Sequence, residues 1–134
     1  MSDWVWVPLA VIRVVHDRQI SRHGGSPGVR DTALLEMGSA RAMNRAAYDN
    51  PDPFDIAAAY AFGLVKAHAF VDGNKRAGFV TAITFLRLNG FGFRPDPADG
   101  VRMMEGLASG ALSEDAFAGW LRSGASRLEP APDR

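Results

Sequence analysis

Two apolar segments of helical length, at about 54–70 and 74–89, meet in this chain at the run His68-Ala69-Phe70-Val71-Asp72-Gly73-Asn74-Lys75-Arg76. In the first segment the apolar residues fall on one stripe of a helix, and after its first turn the second is apolar nearly all round. A helix that is apolar on every side is stable only when it is buried. We therefore expect the second segment to lie at the centre of a helical bundle, with the polar run at its beginning.

The rest of the chain alternates between amphipathic segments and breakers made of glycine, proline and asparagine. Further helices are predicted at about 9–22, 31–48, 97–109 and 113–124, with Asp31 and Ser113 as N-terminal caps. The β-prone residues 4–7 and 91–93 are expected to form very short strands at most. The sequence thus predicts an all-α fold, a compact bundle of about six helices around a buried central helix.

The composition is typical of one soluble domain, expected at 1–126, with a flexible C-terminal tail at 127–134. The 134 residues include no cysteine, and basic and acidic side chains are equal in number, 15 of each. Zero net charge argues against direct binding to nucleic acid, and the lack of cysteine excludes disulfides and thiolate chemistry. No basic leader and no run of about 18 apolar residues occurs, so we expect a cytoplasmic protein without membrane contact.

The polar run contains one side chain suited to proton transfer and another suited to metal binding. His68 is either a core histidine or a general base, since imidazole titrates near neutral pH. Asp72 could cap the following helix or ligate Mg²⁺, which takes one or two carboxylates together with phosphate oxygens and water. A transition-metal pair of His68 with Asp72 is a third alternative. Gly73 is either an ordinary turn glycine or a place where the backbone approaches a ligand.

The end of the run places cations where a helix begins. Asn74 could cap that helix or hydrogen-bond a phosphate, and Lys75 and Arg76 are either a solvated face or a phosphate grip. Two cations in a first helical turn face the positive end of the helix dipole, which is unfavourable. A bound anion would reverse that cost, because free backbone N–H groups also point there. A base, a metal ligand and a phosphate cradle together indicate phosphoryl or nucleotidyl transfer.

These residues resemble the signature of the Fic/Doc superfamily, His-x-Phe-x-(Asp/Glu)-Gly-Asn-(Gly/Lys)-Arg. The matching positions are His68, Phe70, Asp72, Gly73, Asn74, Lys75 and Arg76. The chain looks most like the death-on-curing (Doc) toxin branch, which carries lysine where AMP-transferring Fic enzymes carry glycine. Phe79 stands where those enzymes have a second arginine, and this too fits the Doc pattern. The likeness extends over about residues 9–125.

The resemblance implies an all-helical toxin that transfers the γ-phosphate of ATP to a Ser/Thr hydroxyl of a translation factor, which in the Doc branch is elongation factor Tu. His68 would deprotonate the hydroxyl, Asp72 would hold Mg²⁺, and Phe70 would pack the loop against the core. The phosphates would be bound by Gly73, Asn74, Lys75 and Arg76. Two alternatives are AMP transfer at the same site and a non-catalytic protein that only binds a partner.

The resemblance also implies an antitoxin. Many Fic enzymes carry an inhibitory Ser/Thr-x-x-x-Glu-(Gly/Asn) helix, which this chain lacks because Val101 stands four residues before Glu105. Doc relatives are inhibited instead by the C-terminal segment of a Phd-type antitoxin, which folds as a helix into a groove on the toxin. We therefore expect one half of a toxin–antitoxin pair.

Polar features also occur outside the run. His16, Asp17 and His23 are expected on the polar face of the first helix, or alternatively in the substrate groove. The Gly-Gly-Ser-Pro-Gly segment at 24–28 lacks the following Lys-Ser/Thr of a Walker phosphate loop, so it is expected to be only a connection.

Overall fold

The computed structural model describes residues 3–129, and helices account for most of them. The helices are α1 (Leu9–His23), α2 (Thr32–Ala46), α3 (Pro53–Ala67), α4 (Asn74–Leu88), α5 (Pro97–Ser109) and α6 (Glu114–Gly124). The strands β1 (Phe91–Gly92) and β2 (Ser126–Arg127) pair antiparallel. The expected all-α bundle of six helices with very short strands is confirmed. Within the described range, no helix has both the length and the apolar character needed to cross a membrane.

Side chains placed just before the helices fix where several of them begin. Asp31 caps α2 and Ser113 caps α6, each by accepting a backbone N–H from three residues further on. α3 begins with a capping box between Asp52 and Asp55, with Pro53 at its first position. The two predicted caps are confirmed, and a cap of this kind typically contributes about 1 kcal/mol.

The most deeply buried helix is α3. Ten of its fifteen residues are buried, against seven of fifteen in α4, so the innermost position expected for the helix at 74–89 belongs to α3 instead. The small side chains of α3 allow neighbours to approach from several sides. At its crossing with α2, Gly63 faces Gly38 so closely that a Cβ atom at Gly63 would overlap the Gly38 carbonyl oxygen.

Two helices end earlier than predicted. α3 stops at Ala67, not at 70, because its C-cap His68 adopts the left-handed backbone conformation, with φ 53° and ψ 43°. α2 stops at Ala46, not at 48, and Asp49 and Asn50 follow with positive φ. Short polar side chains tolerate that region better than most. Neither end is marked in the sequence by a glycine.

Residues 4–7 do not form the short strand considered from the sequence. The side-chain amide of Asn89 accepts the N–H of Val5 and donates to the Val5 carbonyl, both at 2.9 Å. An amide side chain offers the donor and acceptor of a peptide unit, so it replaces the missing neighbouring strand. Trp4 and Trp6 then pack their rings against Phe85.

The beginning of the expected tail belongs to the fold. Arg127 lies opposite Phe91 in the two-stranded sheet, and the Leu128 N–H donates to the Gly90 carbonyl at 2.8 Å. The boundary expected at 126 is therefore too early. The rest of the expected tail, at 130–134, lies outside the described residues.

Candidate active site

Residues 68–73, here called the motif loop, join α3 to α4 and are braced by residues 24–31, here called the support loop. Val29 and Phe70 form an antiparallel bridge between the two loops. Beside it, the Val71 N–H donates to the Gly28 carbonyl at 3.1 Å, and the Ala69 carbonyl accepts two N–H groups from the support loop at 2.7 and 3.1 Å. The Gly-Gly-Ser-Pro-Gly segment is thus a structural support for the motif loop, and more than the connection expected from the sequence.

His16, on α1, lies beneath the motif loop. It is 1% exposed, and its ring stacks on Phe70 with the centroids 3.8 Å apart and the planes within 7°. Its Nε2 lies 2.7 Å from the Asp72 carbonyl oxygen, which can only accept, so Nε2 carries the proton. The expectation that His16 occupies a polar face or the substrate groove is wrong. Asp17 beside it is exposed, whereas His23 lines the cavity described below.

Asn74 closes the motif loop from inside and is only 7% exposed. Its Oδ1 accepts the Phe70 N–H at 3.0 Å, and its Nδ2 donates to the Phe70 carbonyl at 3.0 Å. Nδ2 also lies 3.1 Å from Nδ1 of His68. These contacts use both amide hydrogens. The Asn74 side chain is therefore not the cap of α4 but an internal tie of the motif loop, and because Asn74 also lines the cavity described below, its contact with phosphate stays a prediction.

His68 is exposed and lines a cavity, so the core-histidine interpretation is wrong. The hydrogen bonds with Phe70 turn the Nδ2 end of the Asn74 amide toward the His68 ring. Nδ2 can only donate, so Nδ1 of His68 must accept in the contact between them. A neutral imidazole accepts at one nitrogen only, so in this arrangement the proton lies on Nε2.

Arg30, on the support loop, binds the backbone of His68. Its Nε and Nη2 donate to the His68 carbonyl oxygen at 3.0 and 2.7 Å. A fork of two charge-assisted hydrogen bonds on one carbonyl fixes its direction strongly. No sequence pattern marks Arg30 as a site residue, because its partner is a backbone atom 38 positions away.

Asp72 has its carboxylate oriented by backbone N–H groups. Oδ1 accepts from Gly73 at 2.9 Å, and Oδ2 accepts from Ser26 of the support loop at 3.3 Å. The side chain is exposed and lines the same cavity as His68. Asp72 is therefore not the N-cap of α4, and each of its oxygens keeps a lone pair for another ligand.

The N-cap position of α4 is held by Gly73, whose φ of 75° and ψ of 23° are left-handed. A glycine adopts this conformation without steric cost. Among the described residues 3–129 no side chain caps the helix, so the N–H groups of its first turn have no side-chain acceptor there. Free N–H groups and the helix dipole together make this end attractive to an anion.

Lys75 and Arg76 stand in that uncapped first turn. Both are exposed, and among residues 3–129 neither makes a salt bridge or a side-chain hydrogen bond with the protein. Both line a cavity of about 980 Å³ that also contains His68 and Asp72. The structure therefore brings the predicted base, metal ligand and cations to one cavity.

α4 and α5 give the same cavity an apolar wall, formed by Phe79, Val101 and Met104. The Phe79 ring packs against Trp120, with 6.1 Å between centroids, and lies over Gly100. A Cβ atom at Gly100 would come within 3.2 Å of that ring. The cavity thus combines a charged end with a surface suited to an apolar or aromatic group.

A second concavity, of about 490 Å³, lies between α2 and α3 and also contains cations. Here, however, each cation is engaged by the protein. Arg41 is bound to Glu114 at 2.7 Å, Arg45 lies 3.7 Å from Asp55, and Lys66 donates to a backbone carbonyl. The contrast makes the α4 cavity the stronger candidate for binding an anion.

Comparison with known proteins agrees with this geometry. The model of the Fic/DOC family matches residues 6–86, which is more than half of the chain. The protein kinase doc of Escherichia phage P1 is 37% identical over 111 residues, covering 81% of this chain and 86% of that protein. This chain belongs to the Fic/DOC family. A toxin Doc from Mycolicibacterium smegmatis is 44% identical over 71 residues, or 50% of this chain and 53% of that protein.

Membership in the Fic/DOC family confirms the resemblance drawn from the motif. The matched residues take in α1, α2 and α3, the motif loop and nearly all of α4. They therefore include both loops, His16 and the cationic turn. Both relatives carry the name Doc, which supports the Doc branch of the family.

Proposed function

We propose that this Fic/DOC protein is a Doc-type toxin, a protein kinase that transfers the γ-phosphate of ATP to a Ser/Thr hydroxyl of a translation factor in the cytoplasm. The names of the two relatives, protein kinase doc and toxin Doc, support this activity. The observation that carries the proposal is the N-terminus of α4, which has no side-chain cap and where Lys75 and Arg76 have no partner among residues 3–129, in the cavity that contains His68 and Asp72.

The triphosphate would bind at the first turn of α4. Its negative charge complements the helix dipole and the free N–H groups there. Arg76 offers a fork that fits two phosphate oxygens, and Lys75 offers a compact charge on a flexible stem. Adjacent residues of a helix point about 100° apart, so these two side chains would contact different sides of the polyphosphate.

Asp72 would hold Mg²⁺ together with phosphate oxygens. Its carboxylate is already oriented by two backbone N–H groups, which is favourable for a metal ligand. No group of three or more His, Asp or Glu side chains able to hold a metal occurs among residues 3–129. The single carboxylate of Asp72 fits an ion that takes one carboxylate from the protein and completes its coordination shell with phosphate oxygens and water. Bound there, Mg²⁺ would neutralise charge on the phosphates.

His68 would receive the proton of the target hydroxyl. As the hydroxyl oxygen bonds to the γ-phosphorus, the bond from that phosphorus to the bridging oxygen breaks and ADP leaves. In the arrangement observed, Nε2 already carries a proton and Nδ1 is engaged by Asn74. Proton acceptance therefore requires that contact to open, after which Nδ1 can take the proton directly or a change of tautomer can free Nε2. Until then, Nε2–H can orient a hydroxyl or phosphate oxygen.

Phe79 favours phosphate transfer over AMP transfer. It occupies the position at which the resembling AMP-transferring enzymes carry a second arginine, and its ring is packed against Trp120 and Gly100. This part of the cavity therefore has an aromatic ring in place of a cation. A polyphosphate would then be gripped from the first turn of α4, which supports the kinase.

Intact-mass analysis of elongation factor Tu, after incubation with the protein and MgATP, tests the chemistry and the target together. One transferred phosphate adds about 80 Da, whereas one AMP adds about 329 Da. We expect the smaller increment, lost in His68→Ala and in Asp72→Asn. An AMP increment would contradict the kinase, and an unmodified factor would exclude this target. Incubation of a cell extract with γ-labelled ATP would then reveal another substrate.

The partner is proposed to be a Phd-type antitoxin. The chain lacks the inhibitory helix motif of many Fic enzymes, since Val101 replaces its hydroxyl residue, so inhibition would come from another chain. We expect expression of the wild type to halt growth and co-expression of a Phd-type antitoxin to restore it. His68→Ala should leave growth unaffected. Equal growth arrest by wild type and His68→Ala would contradict a catalytic toxin and favour a binding protein.

A further inference from the structure

We infer that His16 and Arg30 are positioning residues for the motif loop, each acting on the backbone carbonyl at one end of it. The inference rests on the proposed function, because the motif loop carries His68 and Asp72. Neither His16 nor Arg30 is part of the motif, and neither lines the cavity. Any effect on transfer must therefore pass through the loop itself.

Arg30 holds the N-terminal end of the motif loop. Its guanidinium donates twice, at 3.0 and 2.7 Å, to the carbonyl of His68. His68 has a left-handed backbone although it is not a glycine. Such a conformation persists only where the surrounding structure determines it. The fork on this carbonyl therefore fixes the peptide from which the imidazole projects.

His16 holds the C-terminal end of the motif loop from the core. Its Nε2–H donates to the Asp72 carbonyl at 2.7 Å, while its ring stacks on Phe70 at 3.8 Å. A Cβ atom at Gly73 would lie only 3.6 Å from that Nε2, so the ring sits directly under the loop. On the other side, Ser26 holds the Asp72 carboxylate through its backbone N–H. Asp72 is therefore fixed at both its backbone and its side chain.

Paired variants separate positioning from packing. His16→Phe keeps a ring to stack on Phe70 but has no donor for the Asp72 carbonyl. His16→Gln supplies an amide donor but no ring. Arg30→Lys keeps the charge without the fork, and Arg30→Ala removes both.

Steady-state kinetics with MgATP and the protein substrate give the first readout. We expect His16→Phe and Arg30→Ala to lower kcat by about tenfold to a hundredfold with little change in KM, since a shift of about 1 Å at reacting groups has effects of that order. His16→Gln should recover part of kcat. A wild-type kcat in His16→Phe together with a loss in His16→Gln would assign His16 to packing alone and overturn its positioning role. A wild-type kcat in Arg30→Ala would overturn the positioning role of Arg30.

Amide hydrogen exchange gives a readout that does not depend on activity. The Phe70 N–H is bound by the Asn74 side chain of α4 and the Val71 N–H by the Gly28 carbonyl of the support loop, so their exchange should become faster by about tenfold or more in His16→Phe and Arg30→Ala. Amides of α6 should be unchanged. If the wild type transfers no phosphate, the proposed function fails, but exchange still decides the inference. Unchanged exchange at Phe70 and Val71 would overturn it.

Discussion

The side chains of Asn74 and His68 meet nitrogen to nitrogen, with 3.1 Å between Nδ2 and Nδ1. Such a contact is favourable only if one nitrogen donates and the other accepts. The two hydrogen bonds between Asn74 and Phe70 settle the direction, because the amide oxygen is already bound to the Phe70 N–H. The buried amide therefore determines the protonation pattern of the exposed imidazole.

¹⁵N NMR of the imidazole checks this relationship directly. We expect neutral His68 to be protonated at Nε2 and unprotonated at Nδ1. In Asn74→Asp an acceptor replaces the donor, so the proton should move to Nδ1. Asn74→Ala, the control without any partner, should populate both tautomers. If Nε2 accepts the target's proton, Asn74→Asp should also retain more activity than Asn74→Ala. A proton on Nδ1 in the wild type would refute the assignment.

Gly73 and Gly110 form a matched pair for testing the start of α4. Both have left-handed backbones, with φ of 75° and 87°, but a Cβ atom at Gly73 would meet Ile20 at 3.1 Å whereas one at Gly110 would meet nothing within 4 Å. Alanine at either position should cost about 1–2 kcal/mol through the backbone. We expect Gly73→Ala to lose more stability in denaturant unfolding, and to lose activity, which Gly110→Ala should retain. Equal losses of stability in the two variants would mean that the Ile20 side chain moves aside without strain.

The sequence predicted the parts of this protein that depend on local chemistry. The N-caps Asp31 and Ser113, and the helices that begin after them, follow from side chains that accept a backbone N–H three residues further on. The cations at the start of α4 were recognised because an uncompensated charge at a helix end is locally unfavourable. Their convergence with His68 and Asp72 on one cavity is what the structure adds.

The features that the sequence did not predict depend on distant backbone atoms. His16 binds a carbonyl 56 residues away, and Arg30 binds one 38 residues away. A carbonyl is present at every position, so no residue pattern marks it as a partner. Asn89 is similar, since its amide replaces a strand beside Val5. The early end of α3 is likewise produced by contacts of the motif loop and not by a breaker at His68.

Arg122 should stabilise the start of α3 in a pH-dependent way. Burial alone would raise the pKa of Asp52, but the hydrogen bond from Arg122, the Asp55 N–H and the Arg122 charge together lower it below its ordinary 3.8. A depressed pKa contributes stability that is present above pH about 4 and is lost as the pH falls through the folded-state pKa. Because both side chains are more than a third exposed, solvent screening limits the pair to about 1 kcal/mol or less.

Unfolding of Arg122→Ala at several pH values measures this contribution. The difference from the wild type should be largest near neutral pH and should shrink below pH about 4 as Asp52 becomes protonated. Arg102→Ala is the matched control, since Arg102 pairs with Asp99 on the surface of α5 with both side chains at least half exposed, and its effect should be smaller. A difference that stays constant down to pH about 2 would show that Arg122 acts through packing on Phe54 alone.

Arg76 and Arg41 provide the sharpest test of the anion site, because both are exposed cations beside a cavity, but within the part of the chain that the structure describes only Arg41 has a carboxylate partner. We expect Arg76→Ala to raise the Kd for MgATP by about tenfold to a hundredfold, the loss expected for charge-assisted hydrogen bonds to phosphate. Arg76→Lys should recover only part, since an ammonium lacks the fork. Arg41→Ala should bind as the wild type does. Isothermal titration calorimetry measures all of these, and equal weakening in Arg76→Ala and Arg41→Ala would show that general charge, not the turn of α4, attracts the nucleotide.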